Sequence, residues 1–156
     1  MSGRSSGLDN IDVQIITLLT ENGRLPASVI SKTINLSVSA VSERIRKLEQ
    51  SGLIRGYKAV IDEKAAGYAT KAVISIRLES AKFNDAFCAK MKAHPNVTNC
   101  YYVTGGYDYI ARVVTSSVED LTRVLNNIKD MPGVSYTHTY VVLEDVKQDG
   151  SVCPEI

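Results

Sequence analysis

The sequence has no tryptophan, two phenylalanines and three cysteines among its 156 residues. Cys88, Cys100 and Cys153 form neither an even set nor a C-x-x-C pair, which argues against a disulfide framework and a structural zinc site. No apolar run approaches the roughly 20 residues that span a bilayer, and the N-terminus lacks the apolar core of a secretory signal. We therefore expect a soluble intracellular protein with free thiols and no metal or other cofactor.

The chain also has little net charge, a formal +1, but its charges are unevenly distributed. Residues 1–60 contain eight Lys and Arg against five Asp and Glu, whereas residues 61–156 contain ten against twelve. The basic excess is sharpest over residues 28–58, where six basic residues occur with two acidic ones. A local patch of this kind is what binding to a phosphate backbone requires.

Apolar residues at helical spacing predict three short helices in the N-terminal third. Asp9 and Ser37 are suited to cap the first and third helices, and the third extends to about Gln50. Pro26 fits the first turn of the second helix, and Asn35 can take the left-handed conformation that ends it. The predicted inward residues are Ile11, Ile15, Leu18, Leu19, Ala27, Ile30, Ile34, Val41, Ile45 and Leu48. Residues 54–61 then read as an extended segment.

Beyond a connector, the pattern changes to strands alternating with helices. Residues 71–79 alternate apolar and polar side chains, which predicts a half-buried strand. A helix over 84–93 follows, then strands over 97–104 and 107–115 joined at Gly105-Gly106, a strong signal for a tight hairpin. Ser116 or Ser117 caps a helix to Met131, and a last strand covers 134–144. This βαββαβ order predicts a ferredoxin-like antiparallel sheet with both helices on one face, so the fold class is α+β.

The outward face of the third helix is polar and partly basic. At about 100° per residue, with Val41 facing inward, the outward and flanking residues are Ser39, Ser42, Glu43, Arg46, Lys47 and Gln50. Such a face is usual for a solvated helix. Three short helices with tight turns and a following β segment are, however, typical of a winged helix-turn-helix unit that presents its last helix to the major groove of DNA.

Seven stretches of the sequence carry a family resemblance. They are LDNID at 8–12, NGR at 22–24, LSVSAVSERIRKLE at 36–49, GLIRGY at 52–57, TGGYDY at 104–109, PGV at 132–134 and TYVVLEDVK at 139–147. In order and content they closely resemble the Lrp/AsnC transcription regulators of bacteria and archaea, the feast/famine proteins. The sequence departs from the family at the second helix, where Pro26 and Val29 replace the residues of a capping box.

The resemblance implies a domain plan and a set of partners. A helix-turn-helix domain over 8–61 would bind double-stranded DNA, and a linker over 62–70 would lead to a ferredoxin-like domain over 71–147. Residues 1–7 and 148–156 would be flexible ends. The second domain would bind a small effector, an amino acid, and would pair chains into dimers that assemble further, typically to an octamer as a tetramer of dimers. Such a regulator would act in the cytoplasm, associated with the nucleoid.

The resemblance also assigns site residues. For DNA, we expect Ser39, Ser42, Glu43 and Arg46 to face base edges, Ser37 to lie beside them at the helix start, and Lys32, Arg44, Lys47, Arg55 and Lys58 to hold phosphates, with a salt bridge beside the core as the alternative for Arg44. For the effector, we expect Thr104, Gly105, Gly106, Tyr107, Asp108, Tyr109, Thr139 and Tyr140 to frame a pocket between neighbouring dimers. Asp108 is the candidate to receive the ligand's ammonium group, and backbone N–H groups its carboxylate.

Two functions follow. The first is a sequence-specific regulator whose assembly or DNA affinity is modulated by an amino acid. The alternative is an architectural DNA-wrapping or amino-acid-sensing assembly with weak sequence specificity. The sequence has no catalytic constellation, and His94 and His138 have no third ligand at a recognisable spacing, so neither an enzyme nor a metal site is expected. Cys100 is interpreted as a small core residue, and Tyr101, Tyr102, Tyr107 and Tyr109 as a cluster that packs between subunits.

Overall fold

A computed structural model describes residues 7–147 and residue 154 of the chain. These residues form two compact units divided between Val60 and Ile61. The expected flexible ends lie outside the described residues, apart from Gly7 and Pro154, as does Cys153. Within the described part of the chain, no helix is long and apolar enough to cross a membrane.

The first unit contains the three predicted helices: α1 (Asn10–Glu21), α2 (Ala27–Ile34) and α3 (Val38–Gln50). Ile15, Ile30 and Val41 are fully buried and join the three helices at the centre of one apolar cluster. All ten predicted inward residues belong to that cluster. The 3.6-residue period of the apolar side chains is therefore sufficient to predict which face of each helix is buried.

The helix ends show why the helices begin and end where they do. Asp9 accepts a hydrogen bond from the backbone N–H of Asp12, whose carboxylate in turn accepts from the N–H of Asp9, a reciprocal capping box. Ser37 caps α3 through the N–H of Ala40, and Asn35 ends α2 at φ +55°, both as predicted. Pro26, expected in the first turn of α2, is instead its N-cap residue and makes no side-chain cap bond.

The extended segment expected over 54–61 does not form a strand. In the described part of the first unit no residue after α3 joins a sheet. Tyr57 instead holds this segment against the helices, because its hydroxyl donates to Glu49 at 2.9 Å and its ring lies against Gly23. Burial of that hydroxyl, together with the hydrogen bond to Glu49, raises the pKa of Tyr57 to about 12.

The second unit has the predicted βαββαβ order. Its elements are β1 (Thr70–Leu78), α4 (Asn84–Ala93) after a short 3₁₀ turn, β2 (Val97–Tyr102), β3 (Tyr109–Thr115), α5 (Val118–Lys129) and β4 (Val134–Val141). The strands form one antiparallel sheet in the order β2-β3-β1-β4. Ser117 caps α5 by accepting from the N–H of Asp120. Three strands are shorter than predicted, since β2 ends at Tyr102, β3 begins at Tyr109 and β4 ends at Val141.

One face of this sheet is buried beneath α4 and α5. Ala72, Ile74 and Ile76 of β1 are fully buried there, and Phe87 of α4 and Ile128 of α5 pack into the same cluster. The alternate residues of β1 lie on the opposite face, which neither α4 nor α5 covers. The alternation predicted for residues 71–79 is thus confirmed, and it leaves the polar side chains of β1 on the open face.

An ion cluster fixes both ends of the second unit to the open face. Arg112 of β3 donates to the two carboxylate oxygens of Glu63 at 2.9 and 2.8 Å, and Lys71 of β1 pairs with both Glu63 and Asp145. The hydrogen bonds from Arg112 lower the pKa of Glu63 to about 2. The residues just before β1 and just after β4 are therefore held side by side.

We expect Gly133→Ala to lower the free energy of unfolding by about 2–4 kcal/mol, the sum of left-handed backbone strain and overpacking. Gly133 has φ +87°, and a Cβ there would lie 2.1 Å from the Phe83 ring. Gly67→Ala is the matched control, since Gly67 has φ +90° but open space around it, and it should cost only about 1 kcal/mol. Urea denaturation followed by circular dichroism measures both, and equal costs would contradict the role assigned to the contact with Phe83.

Candidate DNA-binding surface and ligand loop

Nine of the ten predicted DNA-facing residues of the first unit are exposed to solvent, and the tenth, Arg44, is half-buried. Helix α3 presents Ser39, Ser42, Glu43, Arg46 and Lys47 to solvent, and Lys32 is exposed at the end of α2. Arg55 and Lys58 are exposed on either side of Tyr57, which holds their segment beside α3. Ser37 is exposed as well, but its hydroxyl is occupied by the cap bond and by a 3.1 Å contact with the hydroxyl of Ser39.

Arg46 forms hydrogen bonds with residues that precede and follow it in α3. Its Nε and Nη2 donate to the two carboxylate oxygens of Glu43 at 2.9 and 2.6 Å, and its Nη1 donates to Oε1 of Gln50 at 2.9 Å. The hydrogen bond with Glu43 raises the pKa of Arg46, and the same bond lowers the pKa of Glu43. The guanidinium group is thus held along the exposed face of α3.

Arg44 forms a salt bridge, the second of the two roles that the sequence analysis considered for it. Its Nη1 donates to Asp9 and to Asp12, each at 2.7 Å, so the side chain bridges the start of α1 to the middle of α3. Hydrogen bonds to these two carboxylates raise the pKa of Arg44. Arg44 therefore lies in the salt bridge beside the core.

The loop over residues 103–108 is held by three consecutive residues of β1. The N–H of Asp108 donates to the carbonyl of Ile76 at 2.9 Å, and a carboxylate oxygen of Asp108 accepts from the N–H of Leu78 at 2.7 Å. Between them, Arg77 donates through Nε and Nη2 to the carbonyl of Gly106 at 3.0 and 2.8 Å. The shape of the loop is therefore set by residues 76–78.

This loop is longer than the two-residue turn predicted from Gly105-Gly106. Six residues separate β2 from β3, and the N–H of Val103 donates to the carbonyl of Asp108 across the loop. Gly105 has φ +119°, whereas Gly106 is not in the positive-φ region. The prediction failed because the favoured two-residue turn needs positive φ at both positions, and only one has it.

Two residues missed by the sequence analysis flank the loop. The guanidinium carbon of Arg77 lies 5.7 Å from the ring centre of Tyr107 and 6.0 Å from that of Tyr136, and the two rings are stacked 6.2 Å apart. Arg77 was identifiable only as an outward residue of β1, and no local pattern places Tyr136 beside the loop. Both positions depend on the pairing of β1 with β4.

The structure does not bring the remaining predicted effector residues to the loop within one chain. Tyr109 is only 3% exposed, and its ring packs on Phe87 in the core. In the pairing of β1 with β4, Thr139 lies opposite Ile74, and Tyr140 lies opposite Val73. Thr139 is therefore three residues, about 10 Å, along β4 from Tyr136. Within one protomer, the loop residues 104–108 meet Arg77 and Tyr136 instead.

Two further interpretations of single residues need correction. The tyrosines do not form one cluster between subunits: Tyr102 and the buried Tyr109 lie on the helix-covered face of the sheet, whereas Tyr101 lies on the open face. Cys100 is exposed on the edge strand β2 and is not a core residue. Over residues 7–147 and 154, no group of three or more His, Cys, Asp or Glu residues is placed to hold a metal ion.

Comparison with known proteins identifies both units. Residues 8–55 match a family model described as a winged helix-turn-helix DNA-binding domain. Residues 71–152 match the Lrp/AsnC ligand binding domain. The two matches together cover most of the chain: the first lies within residues 1–60 of the first unit, and the second includes residues 71–147 of the second unit.

Individual relatives agree with the family models. The HTH-type transcriptional regulator FL11 of Pyrococcus horikoshii is 37% identical over 141 residues, which are 90% of this chain and 93% of that protein. A feast or famine regulatory protein from M. tuberculosis, solved with L-methionine, has a TM-score of 0.87 at 31% identity and covers 94% of this chain and 99% of its own. A transcriptional regulator from Neisseria meningitidis, also solved with L-methionine, has a TM-score of 0.89 at 27% identity, with coverage of 93% and 96%.

We expect Arg44→Gln to lower the melting temperature of the helical unit, because the substitution leaves Asp9 and Asp12 without their cationic partner. A loss of about 1 kcal/mol corresponds to roughly 4–8 °C in a domain of this size. Lys47→Gln removes the same charge from the same helix and should leave the melting temperature within about 2 °C, because within residues 7–147 the one carboxylate near Lys47 is that of Glu43, at 3.9 Å. Calorimetry of the two full-length variants makes the comparison; equal melting temperatures would show that the Arg44 bridge does not hold α1 to α3.

Proposed function

The chain belongs to the Lrp/AsnC family of transcriptional regulators, and from that premise we propose that it is a sequence-specific DNA-binding regulator whose DNA affinity or assembly is modulated by an amino acid. The first unit reads the DNA, and the second binds the effector and joins chains. The exposed polar face of α3 is the observation that carries the DNA-binding part of the proposal.

DNA binding follows from how the first unit is built. Helix α3 is capped, packed on α1 and α2 through its buried stripe, and bridged to the start of α1 by Arg44, so it is a rigid element that can enter a major groove. Its Ser side chains allow close approach to the bases, and Arg46 has the fork of donors that matches the edge of guanine. Lys32, Lys47, Arg55 and Lys58 surround this face and supply phosphate contacts.

Effector binding is proposed for the loop over 103–108. Gly105 and Gly106 leave its backbone uncovered, since no side chain lies within 4 Å of where a Cβ would be. Asp108 has one carboxylate oxygen bound to the N–H of Leu78, and the other is available for a ligand's ammonium group. Two solved relatives hold L-methionine, which supports an amino acid as the class of ligand.

Self-association is proposed for the second unit. The open face of its sheet carries the exposed Tyr136 and Tyr140, and Leu143 and Val146 beyond β4 are 97% and 95% exposed. Apolar and aromatic residues in this number favour burial against another copy of the chain, as a dimer and then as a tetramer of dimers. An effector that binds one assembly more tightly than another then shifts the population between them by its differential affinity.

On a duplex selected from a random pool, we expect Arg46→Ala to weaken binding about 5- to 150-fold and to relax the sequence preference, as the loss of a bidentate base contact does. Lys47→Gln should lower the slope of log affinity against log salt by about one unit without changing the preferred sequence. Gel-shift titrations over a salt series measure both quantities.

Lys129→Gln is the control for that experiment, because it removes the same charge from the last turn of α5 in the other unit. It should leave both affinity and slope unchanged. If Arg46→Ala binds the selected duplex like the parent, α3 is not the recognition helix. If the parent binds selected and random duplexes equally well at physiological salt, the architectural DNA-wrapping alternative is the better description.

For the effector, we expect at least one of the twenty common L-amino acids to raise the melting temperature, since a ligand at 100 times its Kd stabilises the folded state by about 2.7 kcal/mol. Asp108→Asn keeps an acceptor for the N–H of Leu78 but loses the negative charge, and should weaken that binding about 10-fold or more. Asp62→Asn is the matched control, because Asp62 also accepts a backbone N–H, that of Ala65, at the start of the unit. Calorimetric affinities equal to the parent's for Asp108→Asn would remove Asp108 from the site.

A further inference from the structure

Arg77 carries a positive charge that no acidic group neutralises in the described part of the chain. Every other arginine of the second unit forms an ion pair there: Arg112 with Glu63 and Arg123 with Asp120. Arg77 has no carboxylate within ion-pair distance among the described residues, and its guanidinium hydrogen bonds go to one backbone carbonyl. An exposed arginine held by a loop carbonyl rather than by a carboxylate has charge left for a ligand.

The geometry leaves one edge of the guanidinium group free. Nε and one hydrogen of Nη2 point to Gly106, and within the described chain Nη1 makes no hydrogen bond. A guanidinium has five N–H donors, so Nη1 and the second hydrogen of Nη2 form an end-on pair. That pair has the spacing of a carboxylate's two oxygens, with which it makes a bidentate, charge-assisted contact.

The rings of Tyr107 and Tyr136 hold this edge in place. The guanidinium carbon lies about equally far from both ring centres, and these two cation–π contacts together with the anchor at Gly106 restrict the long side chain. Restricting it before a ligand arrives lowers the conformational entropy lost on binding. The anion-binding edge is therefore already formed at the loop.

An opposite charge lies on the same loop without pairing with it. Asp108 is two residues from Gly106, and its carboxylate binds the N–H of Leu78, next to Arg77 in β1. Arg77 and Asp108 form no ion pair within 4.0 Å, so the backbone holds a cation and an anion apart at one site. A zwitterion with adjacent carboxylate and ammonium groups could pair its carboxylate with Arg77 and its ammonium group with Asp108.

We propose that Arg77 is the carboxylate receptor of the effector site and restricts its ligands to free α-amino acids. The inference rests on the proposed function of the loop and goes beyond it, because it moves the carboxylate contact from backbone N–H groups to one side chain. It predicts that an amino acid binds and that its α-amide, which keeps the ammonium and side chain but lacks the carboxylate charge, binds much more weakly.

The test measures calorimetric affinities of the full-length chain for the common L-amino acids and for their α-amides. The parent should bind its preferred amino acid about 10- to 100-fold more tightly than the amide, the range that a charged hydrogen bond supports. Arg77→Met, which keeps the apolar stem, should weaken binding of the amino acid to the level of the amide and abolish the difference between the two. Arg77→Lys keeps the charge but not the fork and should retain part of the difference.

Arg123→Met is the matched control, since Arg123 is a highly exposed arginine on α5 whose one ion pair among the described residues is with Asp120. It should behave like the parent. If Arg77→Met keeps the parent's preference for the amino acid over the amide, Arg77 is not the receptor, and the effector site stands without it. If the parent binds none of the twenty amino acids, the effector function itself is overturned, and the inference with it.

Discussion

The register of β1 is the constraint on which the second unit depends. This strand pairs with β3 on one side and β4 on the other, so its alternation decides what each face of the sheet carries. Ala72, Ile74 and Ile76 face the helices, and the same alternation sends Arg77 to the open face at the end where the loop arrives. A slip of one residue would bury the arginine and expose the isoleucines, which is why the fold and the loop over residues 103–108 are specified together.

In the first unit, α3 is held firmly in place while its outward face remains exposed to solvent. Burial supplies one anchor through Val41 and Leu48, the Ser37 cap supplies another, and Arg44 ties the helix to the start of α1. The anchors that hold α3 in the unit therefore come from outside its outward face, whose polar residues pair with one another along the helix. Arg46 is already hydrogen-bonded to Glu43 and Gln50, so the base contact proposed for it would have to replace bonds that exist. Such an exchange favours discrimination between sequences over raw affinity.

The sequence was sufficient wherever the determinant is local. Helix periodicity, the caps at Asp9 and Ser37, the left-handed Asn35 and the order of strands and helices along the chain all follow from short-range patterns and are found in the structure. It was insufficient where partners are distant in sequence. Arg77 and Tyr136 meet the loop only through strand pairing, and the burial of Tyr109 depends on where α4 packs. The prediction of a tight Gly105-Gly106 turn was wrong because hydrogen bonds from β1, 29 or more residues away in sequence, hold a longer loop open.

The pairing of Lys71 with both Glu63 and Asp145 has a topological consequence. The polypeptide therefore enters and leaves the second unit at neighbouring positions. A module with adjacent termini can be transplanted between loops of an unrelated host, or permuted by joining its ends with a short bridge, without threading the chain through the sheet. The architecture thus makes the second unit portable, separable in principle from the helix-turn-helix unit to which it is attached.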